Sequence, residues 1–168
     1  MRLYMSGKKA WNSTFSTENG DVIYETWSPR KIFGRTTTIS RIEDPNGQAL
    51  SSHLAQYAWR TFCSARLRFR NQEVRTRSFF KKKGWGIHGR DRVFEIDGYQ
   101  FRWKLGSGEL RLNKHPHMLV ARYFPKGKEE SFSSKANRPF LEIMSGWKNF
   151  ADDIMISFIY VEKLVEDE

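Results

Sequence analysis

Polar and apolar residues alternate over short stretches through most of the chain, the two-residue period of half-buried β-strands. Residues 21–27 (DVIYETW) form one such stretch, stopped by Ser28-Pro29. Residues 35–43, rich in Thr and Ile, form another and end at the turn sequence Asp44-Pro45-Asn46-Gly47. Residues 52–60 (SHLAQYAWR) are mixed in pattern; their Ala and Leu allow a helix, and a strand is expected. Residues 65–70 (ARLRFR) alternate cleanly, with Leu67 and Phe69 on one face and Arg66, Arg68 and Arg70 on the other. A turn at Asn71-Gln72 would let residues 74–78 continue this strand in a hairpin. Residues 92–104 carry Asp97-Gly98, the preferred pair for a two-residue type I′ turn, which predicts Ile96 opposite Tyr99 and Phe94 opposite Phe101. Residues 109–113, 118–124 and 138–144 complete the strands, with a polar loop from Pro125 to about Asn137. The first twenty residues are polar and are expected to be flexible, leaving residues 21–168 as one domain.

The last segment breaks the alternation. Phe150, Ile154, Phe158, Val161 and Val165 recur at helical spacing, and Met155, Ile156, Ile159, Tyr160 and Leu164 cover most other directions. Asn149 is a candidate cap, and Asp152 and Asp153 sit where a helix dipole favours acids. The reading is a buried helix; a buried strand is the rival, because 154–161 contains several β-branched residues.

Composition sharpens this picture. The chain has 168 residues, enough for one domain with a substantial core. Its one cysteine, Cys63, excludes an internal disulfide and any multi-cysteine zinc site. The formal charge of +10 is concentrated between Arg60 and Arg92, where eleven Lys/Arg meet two acids for a net +9. Elsewhere 18 basic residues face 17 acidic ones, and residues 150–168 carry a net −5. No secretory leader or membrane-spanning run is read, so the expected location is intracellular and cytoplasmic, including the periphery of membranes.

The strand-rich order with an all-round apolar helix last resembles the tubby C-terminal-like superfamily, and within it a fungal family of domains of unknown function. The resemblance rests on Val22-Ile23-Tyr24, Arg35-Thr36-Thr37-Thr38-Ile39, Leu54-Ala55-x-x-x-Trp59, Arg92-x-Phe94, Asp97-Gly98, Phe101-x-Trp103 and Val120-Ala121. The stretch Asp153-Ile154-x-Ile156-Ser157-Phe158-Ile159-Tyr160-Val161-Glu162 completes it. It implies a mainly β fold, a closed antiparallel β-barrel around a central hydrophobic C-terminal helix. Members of the wider superfamily bind phosphoinositides or act at membranes, and none of their ligand residues can be carried over individually.

The candidate binding residues are therefore the basic and aromatic ones: Arg66, Arg68, Arg70, Arg75, Arg77, Phe79, Phe80, Lys81, Lys82, Lys83 and Trp85. If residues 78–92 form an exposed loop, the aromatics would enter a membrane interface while the lysines meet anionic headgroups. An acidic protein would suit the same charge. Single-stranded nucleic acid is the alternative partner, with bases stacking on the aromatics. The bland alternative is that Phe79, Phe80 and Trp85 anchor a long loop to the barrel. His115 and His117 lack companions at a metal-site spacing, and neither metal nor cofactor is expected. The sequence reads as a non-enzymatic binding module; an enzyme would need a pocket with converging polar groups that no local motif reveals.

Overall fold

The structure, a computed structural model, describes residues 1–29, 34–44, 47–60, 64–84, 91–127 and 138–167. About half of these lie in β-strands, here numbered in chain order. They are β1 (Arg2–Met5), β2 (Ser13–Ser16), β3 (Val22–Trp27), β4 (Arg35–Glu43), β5 (Leu50–Trp59), β6 (Arg66–Phe69) and β7 (Gln72–Arg75). After a helical turn, α1 (Thr76–Phe79), come β8 (Lys81–Lys83), β9 (Asp91–Ile96), β10 (Tyr99–Lys104), β11 (Glu109–Leu112), β12 (Leu119–Phe124) and β13 (Phe140–Ile143). A 3₁₀ segment, Ser145–Phe150, leads into α2 (Ala151–Asp167).

All neighbouring strands are antiparallel, in the order β7-β6-β5-β4-β3-β2-β1-β13-β12-β11-β10-β9-β8. The chain is thus an up-and-down meander in which β1 returns to pair with β13, Leu3 standing opposite Leu141. The expected hairpin has its predicted register, Ile96 opposite Tyr99 and Phe94 opposite Phe101, with φ positive at both Asp97 and Gly98. The polar N-terminal segment contributes two strands, because Leu3, Met5 and Phe15 alternate inward and are buried. A domain boundary at residue 20 therefore falls inside the sheet.

The C-terminal helix is buried on nearly every side: Ile154 through Val161 are all buried. Side chains reach it from strands that are far apart in the sheet order. Phe158 meets Phe15 of β2, Trp103 of β10 and Tyr123 of β12, with ring centroids 6.2, 6.1 and 4.9 Å away. Tyr160 stacks on Phe80 at 4.2 Å and faces Tyr57 and Trp59 of β5. Such contacts exclude a solvent-facing side, which is why the sequence is apolar in all directions. The polar atoms brought inside are satisfied. Tyr57 Oη donates to Ile156 O at 2.9 Å, and Trp103 Nε1 donates to Ser157 Oγ at 2.9 Å.

The helical path begins earlier than expected, at Ser145, so Asn149 lies within the 3₁₀ segment rather than capping α2. Asp152 and Asp153 do occupy the first turn of α2, and each also has specific partners. Tyr24 Oη donates to Asp152 at 2.6 Å, and Arg41 reaches the same carboxylate at 3.1 Å. Arg70 donates to Asp153 at 2.9 Å and to Asp97 at 2.9 Å.

Barrel closure is where the expectation and the structure part. Among the described residues β7 and β8 form the two ends of the ladder, and no strand pairing joins them. The reason is local. Thr76 N–H and Oγ1–H both donate to Ala65 O, holding the helical turn against the start of β6 instead of extending it toward β8. Aromatic side chains span this seam. Phe79 packs on Phe69 of β6 at 5.1 Å, and both Phe79 and Phe80 pack on Phe94 of β9.

Candidate functional site

The predicted arginine row divides once its partners are seen. β6 alternates as expected, with Leu67 and Phe69 buried and Arg66 and Arg68 outward. Glu73, opposite on β7, accepts from both Arg66 and Arg68, so one carboxylate holds two of the cations. Those guanidinium groups keep the exposed Glu73 carboxyl below its usual range. Arg70 is not on the strand. Phe69 pairs with Gln72, so the turn is Arg70-Asn71, one residue earlier than predicted, with φ of 46° and 58°. Its side chain swings to the start of α2. There burial raises the Asp153 carboxyl, and Arg70 pulls it back part of the way.

The next nine residues, Arg75 to Lys83, carry five cations and no acid. Arg75 and Arg77 are exposed at the end of β7 and in α1, and Lys81, Lys82 and Lys83 are exposed along β8. Lys83 Nζ donates to Asn113 Oδ1 at 2.8 Å. Arg75, Arg77, Lys81 and Lys82 form no ion pair among the described residues. The five therefore flank the open seam as one basic strip. Beside it lies a cleft of about 200 Å³ whose lining includes Ser78, Phe79, Lys81, Glu95 and Gln100.

The aromatic candidates separate from the basic ones. Phe80 is only 2% exposed and Phe79 is half-buried, so both rings fill the interior side of the seam. These two rings are thus placed as anchors rather than in an exposed aromatic loop. Trp85, His88 and Cys63 lie outside the described residues. His115 and His117 face each other with ring centroids 6.0 Å apart, and among the described residues no group of three His, Cys, Asp or Glu side chains gathers as a metal site would need. No helix of the described residues is long and apolar enough to cross a membrane.

The sequence signal for the strip was plain, since its five charges fall within nine residues. The signal for its neutralised neighbours was not: Glu73, Asp97 and Asp153 reach Arg66, Arg68 and Arg70 only through hairpin register and the docking of α2.

Comparison with curated proteins and with solved structures gave no match. Over residues 8–167 the chain matches the Family of unknown function (DUF6593), and it belongs to that family.

Proposed function

We propose that this protein is a non-enzymatic binding module whose basic strip at the seam contacts anionic lipid headgroups, phosphoinositides among them, at the cytoplasmic periphery of membranes. One observation carries the reading: five exposed cations in nine residues without a carboxylate between them. Each such residue near an anionic surface contributes about 1 kcal/mol, which a paired arginine would forfeit. The sheet wrapped by side-chain contacts around α2 also favours a tubby-like fold of the fungal type, with an aromatic-packed seam in place of full closure. An acidic protein surface would meet the same strip. Stacking-dependent binding of single-stranded nucleic acid is less well served, because Phe79 and Phe80 face inward.

Co-sedimentation with phosphoinositide-containing vesicles at low salt tests the reading. The chain should pellet with them, and the combined Arg75→Ser, Arg77→Ser, Lys81→Ser and Lys82→Ser variant should partition roughly a thousandfold more weakly. A chain that stays in the supernatant at low salt sinks the proposal.

A further inference from the structure

The sheet order gathers a second set of cations just beyond the ends of β1, β13 and β12, strands midway along the order and distant from the seam. Tyr4 of β1 and Phe124 of β12 both stand opposite Phe140 of β13. Two residues past these pairs come Ser6, Arg138 and Lys126, a row at the strand ends, with Lys126 in the turn that follows β12. Met5 N–H donates to Pro139 O at 2.9 Å, so the β1 ladder does continue in this register. Lys8 joins the row from the turn after β1. Gly7 makes that turn possible, since a Cβ there would stand 2.4 Å from Ser13 Oγ and 2.7 Å from Asn12 O.

Ser6, Lys8, Lys126, Arg138 and Tyr123 line a single cleft of about 540 Å³. That is the size of a small-molecule site, typically about 300–1,000 Å³. No carboxylate is among its described lining residues. Nearby cations elsewhere are paired, Lys9 with Glu166 and Arg122 with Glu109. Lys8, Lys126 and Arg138 form no ion pair among the described residues. Ser6 Oγ accepts from Thr14 N–H and from Thr14 Oγ1–H, both at 2.9 Å, which leaves its own proton to donate. Tyr123 is fixed by its ring contact with Phe158, and burial, with the Glu162 carboxylate nearby, holds its phenol above the ordinary range, so it stays a protonated donor. Three cations and two hydroxyl donors, with no carboxylate among the described lining residues, match the oxygens of a multiply charged anion.

We propose that this cleft binds the phosphate group of a small organic phosphate, with Arg138 as the forked donor and Lys8 and Lys126 as point charges. The same phosphate chemistry is presented by a soluble metabolite and by a lipid headgroup. Titration calorimetry with pyrophosphate as the probe tests it. Binding at low salt should weaken by about tenfold or more in the Lys126→Ala/Arg138→Ala double variant. The titration is run in the Lys81→Ser/Lys82→Ser background, so that these seam cations do not contribute to the signal. Both cleft residues are exposed, so the double variant should unfold at the temperature of the parent. Pelleting with phosphatidylinositol phosphate vesicles tells the sources apart: loss in the same double variant assigns the headgroup, and unchanged pelleting assigns the soluble phosphate. Absence of pyrophosphate binding at low salt, or its retention in the double variant, overturns the proposal. Neither result touches the seam, which rests on other residues.

Discussion

Glu162 follows the last fully buried turn of α2, and burial, with Glu166 nearby, raises its pKa from 4.5 to about 7. The folded state therefore holds this proton more tightly than the unfolded chain does. The sign follows: below pH 4.5 the residue is neutral in both states and costs nothing, whereas the cost grows as pH rises and is complete above 7. Glu162→Gln keeps the shape and removes the titration. At pH 8 it should stabilise the fold by about 1–3 kcal/mol, with the difference vanishing near pH 4. Urea unfolding at both pH values checks this; equal stability of the two chains at pH 8 would refute it. Arg70 shows why single residues were hard to place from sequence. Its alternation with Leu67 and Phe69 put it on the outer strand face, but the turn began there instead. An arginine at positive φ is uncommon, and here its side chain closes on Asp97 and Asp153, contacts no local pattern encodes.

At the level of elements, the strong local signals held. β4 spans the whole predicted 35–43 stretch, and the Asp97-Gly98 hairpin keeps its register, because turn chemistry and period-two alternation act within a few residues. The four-residue strands β1 and β2 were missed: so short an alternation carries little signal, and β1 is held in part by β13, a partner remote in sequence. Residues 74–78 were read as strand and 78–92 as a candidate loop, because the lysines and glycines mask two phenylalanines that hold α1 in place. Phe80 is the sharper test. Its ring lies flat on Tyr160 and against Phe94, so Phe80→Ala should cost about 3–4 kcal/mol in a denaturant titration. A loss well under 1 kcal/mol would mean that the seam is not held by these rings.

Across the whole molecule, the average charge misled in one respect. The 18-to-17 balance outside the basic block made that region look neutral, yet strand order collects Lys8, Lys126 and Arg138 at one cleft while acids gather on α2. The basic strip also has a structural role that needs no ligand. An open sheet exposes two edges, and short, lysine-bearing edge strands resist pairing with another chain. Replacing Lys81, Lys82 and Lys83 by Thr, Val and Thr should shift the protein to higher mass than the parent in light scattering at equal concentration; an unchanged mass would exclude this guarding role. The β1–β13 pairing has a further consequence, in time rather than space. Arg2 meets Glu142 across 140 residues, and α2 follows every strand it supports. During synthesis the early strands therefore lack both their final neighbour and the helix that covers their inner faces. Loop closure over that separation is slow, so the core forms late and as a unit, after most of the chain has been made.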